Sequence, residues 1–519
     1  GHAKIATWLG SAPDYWLMDL QTIFGRMDAL AALTHIRGLD EEWARLLQGK
    51  RPPDPLSHVR HSWLPATDRD VDIVYAGGGL GLIHALAMQQ RGWGVLLFDR
   101  GVVGATHREW NITRGELDVL VQAGILRWEE LEGVIAREYR SGFVRFHNPQ
   151  GSPVRFDLPG VLDLALDASG LLSLVRRKFE AAGGIVWDNS TFEHVWLAVD
   201  AAPRTVVRVR NARDQTCHIG ARLLVNAMGM LSPLSLALAG EGVPVDGVCP
   251  TVGTVACGFA EGEVDPHQGE ILVTLEGQRD GHQLIWEGFP AHDHTFTTYL
   301  FYYDVTENRA SQPHSLVELF HDYFELFPTY KTPGHAFKHL KPVYGFIPAR
   351  HHLDGPLPEQ ARTARALLSI GDAAARQNPL TFTGFGSFVR HLPDAIKGLD
   401  THLQEDLLEA ETLARFSAAQ RNLSAMWVLA RFLAPRSHPD AVNAILRDFT
   451  RALEEVGPER ASAFFLDRAT WRDYVEIMLR TARHHPQVFF EAFEVLGTRG
   501  VAQWLEDLAR WGLSTGSTT

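Results

Sequence analysis

Cysteine is scarce in this sequence: its 519 residues include only Cys217, Cys249 and Cys257. An odd number of cysteines without a Cys-x-x-Cys spacing provides neither a disulfide framework nor a zinc site, and is typical of a reducing compartment. Basic residues are also in deficit, with 49 Lys and Arg against 62 Asp and Glu and a formal net charge of −13. Because such a chain repels phosphate backbones, nucleic acid is excluded as a partner.

Long apolar runs are absent as well. The nearest candidate for a membrane span, residues 223–240, is interrupted by Asn226, Ser232 and Pro233, and fits a strand, a turn and a short helix better. The first residues, GHAKIATW, lack the basic and apolar regions of a signal peptide. We therefore expect a protein without a transmembrane span or signal peptide, located on the cytoplasmic side.

The periodicity of the apolar residues predicts two βαβ units. The segment VDIVYAGGGLGLIHALAMQQRGWGVLLFDR fits a buried strand (71–76), a Gly turn, a helix and a second strand (95–99). A helix at 170–182 leads through Gly183-Gly184 into a strand at 185–188. Between residues 251 and 303 the pattern changes to alternation, which predicts an antiparallel sheet.

These patterns divide the chain into units, as its length also favours. We predict an α/β fold: a Rossmann-type parallel domain, interrupted by an antiparallel β substrate domain and followed by a helical C-terminal region. The predicted ranges are 1–70 for a helical N-terminal extension, 71–145 with 166–250 and 345–400 for the parallel domain, 146–165 with 251–344 for the substrate domain, and 401–519 for the helical region.

The turn after the first strand carries small residues at the spacing that binds a dinucleotide. Ala76, Gly78 and Gly81 occupy the positions of a Gly-x-Gly-x-x-Gly fingerprint, and Asp99 ends the second strand, next to Arg100. Glycines let the backbone approach a pyrophosphate, and the helix N-terminus presents free N–H groups to it. Asp99 would accept hydrogen bonds from the adenosine ribose, and we include Arg100 in the predicted cofactor site.

A second strand-turn segment lies nearly 300 residues later. Residues 367–374, LLSIGDAA, end a strand in Gly371-Asp372, the position where two-domain flavoproteins bind the ribityl chain of FAD. Gly384 and Gly386 open a following helix whose N-terminus would face the flavin or the pyrophosphate. An ordinary strand-turn-helix would explain this segment alone. Paired with the first fingerprint, it predicts FAD as the cofactor and a hydroxylase-like flavoprotein.

Two arginines in the segment HREWNITRGEL, Arg108 and Arg114, fall where this fold places an arginine at the cofactor. We predict both as cofactor-binding residues. The alternative for this segment is a surface helix capped by Thr113, with Glu116 as its partner. Further along, Asn226 begins an Asn-Ala-Met-Gly segment at the place of an Asp-Ala-x-Gly strand end that lies against FAD in this fold.

Together these elements resemble the CruA/CruP-type lycopene cyclases and their relatives, flavoproteins of carotenoid-making phototrophs. The resemblance covers roughly residues 60–400 and departs from the family at Gly288, where Ala is usual. The segments that carry it are Arg108-Glu109-Trp110-Asn111-Ile112 with Arg114, Trp286-Glu287-x-Phe289-Pro290-Ala291, and Gly371-Asp372 followed by Gln377-x-Pro379-Leu380-x-Phe382-x-Gly384-Phe385-Gly386-x-x-Val389-Arg390-His391-Leu392.

The resemblance implies a redox-neutral cyclisation of the ψ-ends of lycopene to β-rings, an isomerase-class reaction that uses FAD in its reduced form. The reaction needs an acid whose pKa is raised by an apolar pocket. We predict Glu287 as this acid, Glu109 as a second candidate, and Trp110, Trp286 and Phe289 as pocket residues whose rings stabilise a cation. The alternatives are a rim position for Glu287 and an ion pair with an arginine for Glu109.

Two other functions stay open. A flavin monooxygenase or halogenase of similar fold would carry the same cofactor elements, but the Trp-x-Trp-x-Ile-Pro segment of halogenases is missing. A non-cyclising paralogue that binds carotenoid or another pigment would also carry them. No metal site is predicted, because the cluster His292-Asp293-His294 fits a solvated loop better than a set of ligands.

A carotenoid substrate dissolves in membranes, so the predicted activity implies a peripheral contact with the bilayer through an apolar patch. One candidate is the helix at 427–433, and another is the face of the last helix that carries Trp504 and Trp511. Both fit a buried core or a dimer seam better than a membrane anchor. The sequence carries no signal for an oligomeric state.

Overall fold

The computed structural model describes residues 18–239, 245–307, 309, 311–349, 363–374, 384–417 and 428–515. Within these residues, the helices are α1 Leu20–Arg26, α2 Leu30–Leu47, α3 Leu80–Gln90, α4 Arg114–Gln122, α5 Trp128–Leu131, α6 Ala168–Ala181, α7 Pro233–Leu238, α8 Leu316–Tyr330, α9 Gly384–Gln404, α10 Ala410–Ser417, α11 Ala441–Val456, α12 Pro458–Phe465, α13 Trp471–His484 and α14 Val488–Thr515.

The strands form four sheets. They are β1 Leu56–Val59, β2 Arg69–Asp70, β3 Ile73–Ala76, β4 Val95–Phe98, β5 Trp110–Ile112, β6 Ile135–Glu138, β7 Ser141–Phe146, β8 Val154–Pro159, β9 Leu164–Leu166, β10 Ile185–Trp187, β11 Thr191–Ala198, β12 Thr205–Arg210, β13 Thr216–Ala221, β14 Leu223–Asn226, β15 Gly247–Phe259, β16 Gln268–Val273, β17 Ile285–Pro290, β18 Phe296–Phe301, β19 Asp304–Val305, β20 Pro333–Ala349, β21 Thr363–Ala364 and β22 Leu367–Ser369.

The predicted βαβ units form a sheet in the order β10-β4-β3-β14-β22-β21, parallel except for the β21 edge. Its central strands are buried along their whole length, as parallel strands covered on both faces must be. Helices α3 and α6 cover one face, and residues of β11 to β13 cover the other. The Rossmann-type α/β domain of the prediction is confirmed.

The N-terminal extension is only partly helical. After α1 and α2 the chain adds β1 and β2 to the edges of a five-stranded sheet, in the order β1-β11-β12-β13-β2. The reason is long-range pairing, because β1 runs parallel to β11 with Leu56 opposite Val195. Such short strands beside a Pro-rich stretch carry no periodicity of their own. Strands β12 and β13 form an antiparallel hairpin in this sheet.

The substrate domain is a large curled sheet in the order β19-β15-β18-β17-β16-β7-β8, with β20 also paired to β15. It is antiparallel except where β7 runs parallel to β16. The chain enters this sheet at Ser141, and β15 and β20 extend to Gly247 and Ala349. The substrate sheet therefore extends beyond the predicted ranges 146–165 and 251–344. Its first segment begins at Ser141, its second begins at Gly247, and its last strand ends at Ala349.

Helices cover both faces of the large sheet. Helix α8, with α1 and α2 packed beside it, covers one face and forms a core rich in aromatic rings. The C-terminal helices α11 to α14 pack with residues of the other face, and Trp511 lies in that core. The C-terminal Trp stripe is thus mainly core. Among the helices of the described ranges, none is both long enough and apolar enough to cross a membrane.

Candidate active site

The Gly turn between β3 and α3 forms the close approach that the fingerprint predicts. Gly77 has φ +107°, and a Cβ atom on it would lie 2.3 Å from the carbonyl oxygen of Ala227. A Cβ atom on Gly81 would lie 2.8 Å from the Cβ of Ala227. The N-cap residue of α3, Gly79, provides no side-chain hydrogen bond. The first N–H groups of α3 therefore have no side-chain cap, and the glycines of the turn place no side chain beside them. Such an arrangement binds an anion such as a pyrophosphate.

Asp99 holds this turn in place. Its carboxylate accepts hydrogen bonds from the backbone N–H of Gly78 at 2.7 Å and from that of Gly101 at 2.8 Å. A carboxylate has about four lone-pair sites, so capacity remains for a ribose hydroxyl. Arg100 is exposed, and its guanidinium lies 3.4 Å from Nε2 of His35 on α2. The N-terminal extension thus reaches the edge of the predicted cofactor site.

The second predicted element meets the first at the same edge of the parallel sheet. Asn226 at the end of β14 pairs with Ala76 of β3 on one side and with Ser369 of β22 on the other. Its Nδ2 donates to the hydroxyl of Ser369 at 3.2 Å, a bond that the more usual Asp could not donate. Gly371 follows with φ +59°.

The charges of Asp372 and Arg108 interact at this edge of the parallel sheet. Desolvation raises the pKa of the Asp372 carboxyl above its ordinary value, and the charge of Arg108 pulls it back. The guanidinium of Arg108 lies against Gly345 of β20, where a Cβ atom would be 2.3 Å from Nη2. Gly345 is also held at φ +154°, in the region that favours glycine. Arg108 therefore links the parallel sheet to the substrate sheet.

Glu287 lies on the face of the large sheet that the segment 108–111 crosses. Its side chain is buried, at 2% exposure, and Nδ2 of Asn111 donates to its Oε1 at 2.8 Å. Burial raises the pKa of the Glu287 carboxyl to about 8, and the bond from Asn111 lowers it only partly. Within the described ranges no Lys, Arg or His forms an ion pair with it. Glu287 is thus a protonated acid at neutral pH, and a rim position is excluded.

Glu109 has the opposite surroundings. Its carboxylate lies 2.5 Å from Nζ of Lys341 on β20, so its partner is a lysine instead of the expected arginine. Burial raises the pKa of the Glu109 carboxyl above its ordinary value, and the charge of Lys341 offsets this only in part. The hydroxyl of Tyr299, the residue paired with Glu287 across β17 and β18, donates to the backbone carbonyl of Glu109 at 3.0 Å. The segment thereby places one neutral and one ion-paired carboxyl on the same sheet face.

Of the predicted pocket residues, Phe289 shares the face of Glu287 and Trp286 does not. Side chains alternate along β17, so Phe289 packs near Tyr299 while Trp286 points to the other face. There Trp286 stacks on Tyr330 of α8, with ring centroids 4.5 Å apart. Trp286 therefore does not line the site, because neighbouring residues of a strand point to opposite faces of the sheet.

Trp110 belongs to the segment 108–111 and packs against α9. Its ring stacks on that of Phe385, with the centroids 4.5 Å apart, just inside the N-terminus of that helix. Gly384 begins α9, and Gly386 leaves room for Glu116, since a Cβ on Gly386 would lie 2.4 Å from Oε2 of that residue. The predicted residues Gln377, Pro379, Leu380 and Phe382 lie outside the described residues.

The structure gives Arg114 surroundings that match the alternative stated for this segment. Its guanidinium forms ion pairs with Glu132 at 2.7 Å and Glu138 at 3.2 Å, and its side chain is 40% exposed. Thr113 and Glu116 form the capping box of α4. The structure thus brings Arg108 to the site and leaves Arg114 in surface ion pairs, because strand β5 and the N-cap residue Thr113 separate them.

Three residues that shape the site have no role in the sequence-based prediction: Asn111, Lys341 and His107. Asn111 belongs to the segment 108–112. Its place two residues after Glu109 was the only sequence feature that could have indicated its hydrogen bond to Glu287. Lys341 carried no signal, since it pairs with Glu109 from 232 residues away. His107 stacks on Tyr344 with centroids 4.2 Å apart, and desolvation lowers the pKa of this histidine to about 4.

Among the described residues, no group of three or more His, Cys, Asp and Glu could hold a metal ion. His292, Asp293 and His294 are exposed.

Neither a family model nor a curated protein matches the chain, but solved structures match most of its length. A geranylgeranyl bacteriochlorophyll reductase-like protein from Thermoplasma acidophilum aligns with a TM-score of 0.60 and 16% identity, over 82% of this chain and 99% of that one. A flavoprotein/dehydrogenase from Cytophaga hutchinsonii aligns with a TM-score of 0.54 and 11% identity, over 84% and 100%. The halogenase PltM, in complex with phloroglucinol and FAD, aligns with a TM-score of 0.55 and 11% identity, over 85% and 96%.

The fold is that of FAD-dependent oxidoreductases and halogenases. At these identities the likeness establishes the fold alone, and the residues present must decide whether FAD fits. They do fit: the glycine backbone at Gly77, the uncapped start of α3, Asp99 and Asp372 lie where this fold holds the pyrophosphate, ribose and ribityl chain. The likeness to lycopene cyclases in particular has no family-level match.

Proposed function

We propose that this protein catalyses the flavin-dependent, redox-neutral cyclisation of the ψ-ends of lycopene, with Glu287 as the proton donor. The observation that carries the proposal is the neutral carboxyl of Glu287, buried on the sheet face crossed by residues 108–111 and without a cationic partner in the described ranges. Proton donation to an alkene carbon needs a carboxylic acid that stays protonated at physiological pH, and desolvation provides it.

The steps balance without an oxidant or a reductant. The O–H bond of Glu287 breaks and a C–H bond forms at a terminal alkene carbon, which leaves a tertiary carbocation. The neighbouring double bond attacks this cation and closes the ring, and the new cation loses an adjacent proton to a base. The carboxylate of Glu287, which the first step left charged, is the proposed base. Asn111 stabilises that charge through the hydrogen bond it already donates.

The residues around Glu287 position and shield the reaction. Tyr299 and Phe289 form an apolar layer beside the carboxyl, and their ring faces favour a cation. Arg108 and Asp372, together with the Gly turn, would hold FAD at the adjoining edge of the parallel sheet. When bound in its reduced form, FAD would supply an electron-rich, negatively charged ring system near the cation.

The structural neighbours give general support. One aligned protein is named for its likeness to a geranylgeranyl bacteriochlorophyll reductase. The geranylgeranyl group is an isoprenoid, as lycopene is. The proposed substrate is an apolar polyene, which implies a peripheral contact with the membrane. The second candidate is a flavin-dependent monooxygenase or halogenase, because several aligned structures are halogenases. Consumption of NADPH and O₂ by the purified protein would favour that candidate, since the cyclisation needs neither in stoichiometric amounts.

The proposal is tested by expressing the chain in bacteria that accumulate lycopene and analysing their pigments. The wild type should produce γ- or β-carotene, and Glu287→Gln should abolish the product, because an amide cannot donate the proton. Gln at this position still accepts the bond from Asn111, so folding and flavin content should be retained. Glu109→Gln is the matched control; it should retain activity, since the ion pair with Lys341 favours the charged form of Glu109, which has no proton to donate.

Two results would count against the proposal. Unchanged lycopene with folded, FAD-loaded wild-type protein would favour the non-cyclising paralogue, and pigment bound to the purified protein would then be sought. Full activity of Glu287→Gln, with loss in Glu109→Gln, would move the acid to Glu109.

A further inference from the structure

The C-terminal helices enclose an apolar cavity of about 290 Å³. It lies among α11, α13 and α14, beyond the part of the chain that carries the motifs of the site. Its lining is aliphatic, aromatic or thioether in character apart from Thr481, and includes Phe432, Phe449, Met478, Ala492 and Trp504. The volume is near the lower end of the range for small-molecule sites.

The polar atoms at the cavity are already satisfied. The hydroxyl of Thr481 donates to the backbone carbonyl of Ile477 at 2.8 Å. The indole N–H of Trp504 donates to the hydroxyl of Tyr474 at 3.3 Å. A ligand that carries a polar group into this space would therefore leave it unpaired, which disfavours binding. The cavity selects an occupant without hydrogen-bonding groups.

The mouth of the cavity is formed by apolar side chains that face solvent. Phe489, Leu479 and Leu505 line the cavity and are 61%, 64% and 53% exposed. Exposed apolar patches of this kind mark binding sites in soluble proteins. Phe490, at 81% exposure, lies next to Phe489 in the chain and does not line the cavity.

The inner wall of the cavity adjoins the core behind the active site. Leu433 and Leu446 line the cavity and belong to the same packed cluster as Ile285, Phe289 and Tyr299. These last three residues surround Glu287 on its sheet face. Apolar packing is therefore continuous from the cavity to the proposed proton donor.

We propose that this cavity binds one linear hydrocarbon chain, which enters past Phe489. A chain of methylenes needs no hydrogen bond and gains affinity from each methylene removed from water. Two sources can supply it, a free long-chain molecule or the acyl chain of a membrane lipid. The proposal goes beyond the proposed cyclase activity and does not depend on it.

The direct test is calorimetric titration of the full chain with octanol, decanol and dodecanol. One molecule should bind, with affinity rising about fourfold for each added methylene. Ala492→Trp fills the cavity and should weaken binding at least about tenfold. Ala502→Trp, at an exposed position of α14 beyond the break at Gly497, should bind as the wild type does. Absence of alkanol binding to the wild type would overturn the proposal, as would wild-type affinity in Ala492→Trp.

Two neighbouring phenylalanines provide a test that does not depend on the folding of the Trp variant. Phe489→Ala should weaken alkanol binding about tenfold, whereas Phe490→Ala should leave it unchanged. Equal losses in both variants would contradict the proposal, because they would place the chain on the surface and not in the cavity.

Flotation with phosphatidylcholine vesicles distinguishes the sources. Flotation that Phe489→Ala weakens and Phe490→Ala does not would identify the membrane as the source. Alkanol binding without flotation would identify a free long-chain ligand. Either result is consistent with a hydrocarbon site.

Discussion

At residue 287, a carboxyl group is kept neutral by burial, and this determines how activity should depend on pH. Because the pKa of Glu287 is about 8, the acid form dominates below pH 8. Turnover should be steady from pH 6 to 7.5 and fall about tenfold per unit well above pH 8. A pH–rate profile of the purified protein checks this, and an activity that rises through pH 8 would exclude Glu287 as the acid.

The same pKa has a consequence for stability. Because the folded pKa is raised from 4.5 to about 8, the folded state binds more protons than the unfolded state between these values, and stability falls as the pH rises through them. The full shift corresponds to about 5 kcal/mol. Glu287→Gln should therefore unfold at higher urea than the wild type at pH 9, with little difference at pH 5. A lower midpoint for the variant at pH 9 would contradict the assignment.

Asn111 is expected to act through Glu287. Its hydrogen bond stabilises the charged carboxylate and lowers its pKa. Asn111→Leu should shift the alkaline limb of the pH profile upward and slow turnover roughly tenfold or more, since bonds to charged groups contribute about 1.5–3 kcal/mol. A slower enzyme with an unmoved limb would indicate a purely structural role.

At the scale of the element, the strand-turn-helix of β3 and α3 provides the most local test of cofactor binding. Gly77→Ala places a methyl group against the carbonyl of Ala227 at a positive φ, so it should abolish FAD binding. Gly115→Ala, at an exposed helical position of α4 with open space around the added methyl group, should retain FAD. Flavin absorbance of the purified variants measures both, and equal retention would contradict a close approach at Gly77.

Elements with strong local patterns were predictable from the sequence. The strands and helix around Gly78, the end of β14 at Asn226 and the turn at Gly371 all carry short-range spacing. The orientation of side chains along β17 was harder to predict. The motif places Trp286 and Glu287 in one pocket, but the pleat of the strand directs their side chains to opposite faces of the sheet. Strands β1 and β2 and the pair Glu109–Lys341 depend on distant partners, which no local pattern encodes.

At the scale of the whole molecule, buried charges join α4, α9 and the C-terminal region. Arg390 of α9 pairs with Glu116 at 3.1 Å and lies 3.9 Å from Asp467, whose pKa is raised by burial to about 6. Arg390→Met would leave buried carboxyls without their cation and should cost about 3–5 kcal/mol of unfolding free energy. Arg114→Met removes two exposed ion pairs and a cation–π contact with Trp128, and should cost only about 1 kcal/mol. Urea denaturation at pH 7 compares them, and equal losses would contradict the coupling.

Isotope incorporation is the most direct test of whether Glu287 gives a proton to the substrate without net redox change. The FAD-loaded, reduced protein would be equilibrated in D₂O and reacted with lycopene in a single turnover. The first ring formed should carry one deuterium, because Glu287 takes back a substrate proton when that ring is complete, and Glu287→Gln should yield no labelled product. A first ring without deuterium, or labelled rings from Glu287→Gln, would contradict the assignment of Glu287 as the proton donor.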